Sequence, residues 1–113
     1  MDCLFCKIAK KEIPAKVVYE DEQVVAFEDI TPKAPVHILV IPKKHISTTL
    51  ELTEAESALT GHMVIVANKI AQDRAVAQSG FRMVMNCNRD AGQSVFHIHL
   101  HLLGGRAMSW PPG

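Results

Sequence analysis

The sequence predicts an α+β protein: a five-stranded antiparallel sheet carrying one long helix and one short N-terminal helix. Three observations lead there. Five short apolar or β-branched runs lie between proline, glycine and Asx turn signals. One stretch after Thr53-Glu54-Ala55-Glu56 has apolar residues at spacings of three and four behind a capping box. And Val95-Phe96-His97-Ile98-His99-Leu100-His101-Leu102-Leu103 alternates apolar residues with histidine, which is the period of a strand.

Taken in order, Leu4, Phe5 and Ile8 suit one short helix with an apolar side and with Lys7, Lys10 and Lys11 towards water. Ile13-Pro14 breaks it, because proline steers its predecessor away from helix. Lys16 to Tyr19 and Val24 to Glu28 read as two strands joined by the polar Glu20-Asp21-Glu22-Gln23. Val36 to Ile41 is a third, nearly all apolar and therefore suited to a central position covered on both faces. Pro42 ends it. The long helix uses Ala55, Leu59, Met63, Val66 and Ile70 as its buried stripe and runs to about residue 76, with His62 and Asn68 as surface or capping groups. Phe81 to Asn86 is the fourth strand. Residues 95–103 are the fifth, ended by Gly104-Gly105-Arg106, so that Phe81 to Leu103 forms a long hairpin. Two prolines keep the tail, residues 107–113, out of any regular ladder.

The chain of 113 residues is one domain's worth, residues 1–113, with 48% hydrophobic residues. Twelve basic and twelve acidic residues cancel, which argues against nonspecific nucleic-acid or membrane binding and permits self-association. The acidic start Met1-Asp2-Cys3 resembles no targeting segment, and three cysteines form no even disulfide framework, so a cytoplasmic, reducing location is expected.

In an extended segment His97, His99 and His101 share one face, about 6.6–6.8 Å apart per step. A helix would turn neighbouring rings by roughly 200°. Three aligned imidazoles offer proton donors, acceptors and nucleophiles near neutral pH, or alternatively three ligands for a metal. Cys3-x-x-Cys6 is by itself ambiguous between metal and redox roles, and Cys87 reads as packing.

The motif His97-Ile98-His99-Leu100-His101-Leu102-Leu103 matches the His-x-His-x-His-x-x pattern of the histidine triad superfamily. Phe27-Glu28-Asp29-Ile30, Ala34-Pro35-Val36-His37, Ile41-Pro42-Lys43-Lys44-His45, Gly92-Gln93-Ser94-Val95, Gly104-Gly105-Arg106 and the Trp-Pro-Pro-Gly ending resemble its nucleotide-binding branch over essentially the whole chain. The resemblance implies a homodimer whose two sheets join into one of ten strands. It also implies hydrolysis of adenosine 5′-phosphoramidates, in which AMP is joined to ammonia or a lysine amine, with no metal needed for the chemistry.

By position in that family, His99 is the nucleophile, its second nitrogen held by the main-chain carbonyl of His97. His101 donates to a phosphoryl oxygen, and His37 supports the cluster. Gln93 and Ser94 aim donors at the phosphate and leaving group, and Asn86 binds the phosphate end. Leu4, Phe5, Ile8, Ile13, Phe27 and Ile30 line the nucleoside slot, and Asp29 accepts from the ribose hydroxyls or merely caps a turn. Trp110 lies near the partner subunit's site or docks on its own sheet. Cys3 and Cys6 depart from this branch. Other branches pair such cysteines with two histidines, here His45 and His97, as a structural zinc set. A nucleotide-binding scaffold, a metal-binding protein and a dinucleoside polyphosphate hydrolase are the competing readings.

Overall fold

The protein is described over residues 3–113 in a computed structural model; the acidic Met1-Asp2 start lies outside the described residues. The elements are α1 (Leu4–Ala9), β1 (Val17–Glu20), β2 (Val24–Glu28), β3 (Val36–Pro42), α2 (Ser57–Asp73), β4 (Phe81–Val84) and β5 (Leu100–Gly104). The five strands form one sheet in the order β1-β2-β3-β5-β4, every pairing antiparallel. The α+β class and the strand count are as the sequence predicts.

β3 lies at the centre because its sequence tolerates burial on both faces. On one face Val24, Ala26, Ile38, Val40, Leu100 and Leu102 pack against Met63, Val66, Ala67, Ile70 and Ala71 of α2. On the other, Val25, Phe27, Leu39 and Ile41 pack against Cys3, Phe5 and Ile8 at α1. Directly paired residues share a face, so the register Leu39↔His101 and His37↔Leu103 puts His37, Leu39 and His101 together on the α1 face.

Thr53 and Glu56 form the capping box, but it caps a 3₁₀ turn (Glu54–Glu56), and the α-helix begins at Ser57. Ala55 is accordingly exposed and not part of the buried stripe. The helix ends at Asp73. Ala75 takes a positive φ of 60°, and Val76 N–H donates to Ala71 O at 3.0 Å, folding buried Val76 back onto the core. His62 is a brace: its Nε2 lies 2.6 Å from Asp21 Oδ2, which also accepts from the Tyr19 hydroxyl at 2.9 Å, tying α2 to the β1–β2 hairpin.

The fifth strand differs most from expectation. Its ladder starts at Leu100, and residues 95–97 bend. Phe96 is 46% exposed and so leaves the apolar row that Ile98, Leu100 and Leu102 keep. The cause is a set of long-range contacts: His97 turns into a cluster with Cys3, Cys6 and His45, while Ile98 N–H donates to Ile46 O at 2.8 Å outside the sheet. β4 likewise stops at Val84, leaving Asn86 and Cys87 in a loop.

Candidate active site

α1, the Ile13–Ala15 segment, the end of β2 and the strand approaching β5 enclose a cavity of about 560 Å³, within the range of small-molecule sites. Its walls are mostly apolar. Leu4, Phe5, Ile8, Ile13, Phe27, Asp29, Ile30, Ser94, His99 and His101, all singled out from the sequence, line it. So do Pro14, Ala15, Glu28, Thr31, Leu39 and Val95, which were not. Leu39 had a readable signal, since strand alternation puts it on the His37 face; Pro14 and Ala15 read only as a helix break. Ile30 is 96% exposed and forms the rim.

The rings are held by bonds that also set which nitrogen carries the proton. His99 Nδ1 lies 2.8 Å from His97 O. A carbonyl only accepts, so Nδ1–H donates and the neutral ring keeps its lone pair on Nε2. Phe5 packs edge-on against this ring with centroids 5.0 Å apart, and against Phe27 at 5.5 Å.

His37 and His101 are diagonal neighbours across β3 and β5, and their rings meet. Lys33 N–H donates to His37 Nδ1 at 3.0 Å, so His37 carries its proton on Nε2. That nitrogen is 2.9 Å from His101 Nδ1 and donates to it, leaving the His101 proton on Nε2. Burial, then the neighbouring His99 and His37, push the His101 pKa down to about 4. Burial also lowers that of His37 against the opposing pull of Asp29. Both rings are therefore neutral at neutral pH, as the hydrogen bonds require. Asp29 Oδ1 accepts from Thr31 N–H at 2.8 Å and from its hydroxyl at 3.2 Å, while Oδ2 stands 3.5 Å from His37 Nε2. Asp29 thus caps a turn and also faces the site. These three residues cluster tightly enough to suggest a metal. The protonation pattern opposes it: an ion on His37 Nε2 would send the ring proton to Nδ1, against the Lys33 N–H.

Beside the cavity, Cys3, Cys6, His45 and His97 bring four ligand atoms within 4.8 Å of one another. His97 is fully buried, and its Nε2–H donates to Pro42 O at 2.7 Å, so Nδ1 presents a lone pair to the cluster. That nitrogen lies 3.3 Å from Cys3 Sγ, 3.5 Å from Cys6 Sγ and 3.2 Å from His45 Nδ1; Cys6 Sγ is 3.3 Å from His45 Nδ1. A tetrahedral ion with bonds of about 2.0–2.3 Å sets its ligands about 3.3–3.8 Å apart. The donor set fits such an ion. Burial lowers the His97 pKa, and burial with the adjacent Cys3 raises that of the Cys6 thiol.

Other expected site residues lie elsewhere. Gln93 is buried and turned inward: its Nε2 donates to Ser47 O at 2.8 Å and Val95 O at 3.1 Å, and its Oε1 accepts from Asn88 N–H at 2.8 Å. It braces the loop that presents Ser94 and is not in the lining. His37 supports His101 from outside the lining. Asn86 is half-buried and Trp110 is 82% exposed, both outside the lining, so Trp110 does not dock on its own sheet.

An antiparallel sheet that presents a row of oriented imidazoles to an apolar cavity defines a class: an α+β protein with a histidine-armed small-molecule site. A family model described as "Scavenger mRNA decapping enzyme C-term binding" matches residues 2–110. A crystal structure of a HIT family hydrolase from Legionella pneumophila superposes with a TM-score of 0.98 at 54% identity, covering 99% of this chain and 100% of that one. The purine nucleoside phosphoramidase of Escherichia coli K12 is 47% identical over 95% of this chain and 90% of its own length. A HIT-like protein of Synechococcus elongatus is 49% identical over 99% of this chain and 97% of its own. The chain belongs to the histidine triad family.

Proposed function

We propose that the protein is a purine nucleoside phosphoramidase that hydrolyses the P–N bond of adenosine 5′-phosphoramidates, of the AMP-NH₂ or AMP-lysine type. The observation that carries this reading is the 2.8 Å bond from His99 Nδ1 to His97 O, which places the lone pair of the neutral ring on Nε2 of a residue lining the cavity. The purine nucleoside phosphoramidase of Escherichia coli, 47% identical, supports it.

In the first step His99 Nε2 attacks phosphorus. The Nε2–P bond forms, the P–N bond breaks, and the amine leaves with a proton taken from solvent, which the attacking water of the second step returns to solvent. Water then attacks the nucleotidyl-histidine, its oxygen joining phosphorus as the Nε2–P bond breaks, and AMP is released. Splitting one displacement into two is the use of such a nucleophile. His101 Nε2–H, directed by His37, stabilises the charge on the phosphoryl oxygens, and Ser94 adds a hydroxyl at the same end; donors fixed before the reaction are often the largest catalytic contribution. The purine lies between Phe5, Ile8, Ile13, Phe27 and Ile30, with Asp29 Oδ2 accepting from the ribose. Gln93 acts here by bracing the loop.

Cys3, Cys6, His45 and His97 would hold a structural zinc ion. Because His97 also supplies the carbonyl that orients His99, an ion there would stiffen the backbone behind the nucleophile. A homodimer is part of the same reading. β4 is an edge strand, and Val64 and Ile65 are 38% and 57% exposed on the outer side of α2. Pairing through this edge would give the ten-stranded sheet and bring Trp110 of the 107–113 tail to the partner's site. Among the described residues no helix is long and apolar enough to cross a membrane.

The test is steady-state hydrolysis of adenosine and guanosine phosphoramidates by the wild type and His99→Asn, with zinc content and oligomeric mass measured on the same samples. Loss of turnover with nucleotide binding retained, and one zinc per chain that disappears in Cys3→Ser/Cys6→Ser, is expected. Metal lost only with His99 and His101 would favour a metal-binding protein instead.

A further inference from the structure

We propose that the Gly105-Arg106 turn after β5 is a clamp that sets the direction of the His37–His101 hydrogen bond, with Arg106 as a positioning residue for the reaction. The proposal rests on the phosphoramidase reading only for its kinetic consequence.

The clamp acts on one turn, Lys33-Ala34-Pro35. Arg106 Nε–H donates to Lys33 O at 2.9 Å, and its Nη1 donates to Ala107 O at 3.1 Å, so the guanidinium ties the chain after β5 to that turn. Gly105 has φ +90°, and a Cβ built there would meet Pro35 Cβ at 2.9 Å. Only glycine allows the two turns to approach this closely. The far end of the turn is tied by Asp29, through the two bonds from Thr31 and through Asp29 N–H to His37 O at 3.0 Å.

Between these anchors sits the Lys33 N–H that donates to His37 Nδ1. Its position decides the rest. With that donor in place, Nδ1 must accept, Nε2–H points to His101 Nδ1, and His101 keeps its proton on Nε2. If the turn drifts, His37 can place its proton on Nδ1. Its Nε2 then becomes an acceptor, His101 donates from Nδ1, and His101 Nε2 is left with a lone pair. A lone pair cannot donate to a phosphoryl oxygen. No net proton is gained or lost, yet a donor in the site becomes an acceptor.

The experiment uses the full chain, ¹⁵N-labelled, as wild type, Arg106→Ala, Arg106→Lys and Gly105→Ala. Long-range ¹H–¹⁵N imidazole correlations report the tautomers of His37 and His101 without any need for turnover; kcat and KM for an adenosine phosphoramidate are measured alongside. Wild type is expected to show both protons on Nε2. Arg106→Ala is expected to populate the His101 Nδ1–H form and to lower kcat roughly tenfold at a KM within about twofold, part of the loss of about 10²–10³-fold that follows removal of one fixed hydrogen-bond donor to developing charge. Free methylguanidine should restore part of the loss, and Gly105→Ala should shift the tautomers in the same sense. Unchanged tautomers in a folded Arg106→Ala, or shifted tautomers with unchanged kcat, overturn the clamp. Shifted tautomers in a protein that cleaves no phosphoramidate would uphold the clamp as a structural device and overturn the assigned reaction.

Discussion

Acidification from pH 7 to pH 5 is expected to weaken the fold, and His101 to carry a measurable share. The folded ring has its pKa pushed down to about 4 by burial and by its histidine neighbours, whereas in the unfolded chain it returns to the ordinary 6.5. Between those values the unfolded state binds more protons, so stability rises with pH across this window. The contribution is complete above about 6.5, declines as pH falls, and is gone by about 4. One such group changes stability by up to about 1.4 kcal/mol per pH unit. From pH 6.5 to 5 that is about 2 kcal/mol, a substantial part of a typical 5–15 kcal/mol. His37, lowered by burial, acts in the same direction. Urea unfolding of wild type and His101→Asn at pH 7 and pH 5 reads this directly. With a urea slope of about 1–3 kcal/mol per molar, the wild-type midpoint should fall about 1 M further than that of the variant. Equal falls in both proteins would show that His101 is not a half-buried ring kept neutral in the fold, and would undo the tautomer assignment built on it.

Phe5→Ala removes a cavity wall and the ring against His99; a loss of about 3 kcal/mol is expected, with a melting midpoint lower by roughly 10 °C and weaker AMP binding by calorimetry. Unchanged AMP affinity would remove Phe5 from the wall. Ala75→Gly relieves the positive φ at the end of α2 and should raise the urea midpoint by an amount equal to about 0.5–1 kcal/mol; a lowered midpoint would contradict the left-handed geometry. Gly104→Ala would set a Cβ 2.9 Å from the Val76 side chain, a buried residue, and should cost about 1–3 kcal/mol by thermal melt. A neutral effect there would mean that β5 and the end of α2 pack less closely than described.

What the sequence makes legible is what short-range pattern controls. The unbroken apolar run of β3 announces a strand covered on both faces, and Thr53 with Glu56 announces the helix start to within one turn. Alternation sorts Ile98, Leu100 and Leu102 from the histidines correctly, although it overextends the strand to Val95. The bend at 95–97 depends on Cys3 and Cys6 at α1 and His45 after β3 meeting His97, and no local period encodes that. Gln93 shows the same limit. A glutamine before a histidine strand reads as a substrate donor, and only the positions of the Ser47 and Val95 carbonyls and the Asn88 amide reveal a brace. The direction of the His37–His101 bond depends on one backbone N–H at Lys33, which the identity of residue 33 does not encode.

The most direct measurement is an acid quench of the protein during turnover of an adenosine phosphoramidate, followed by mass spectrometry of the intact chain and its peptides. A single nucleotidyl adduct on His99, absent from His99→Asn, is the expected result. An adduct on another residue, or wild-type turnover by His99→Asn, would show that the imidazole held on the His97 carbonyl is not the attacking group.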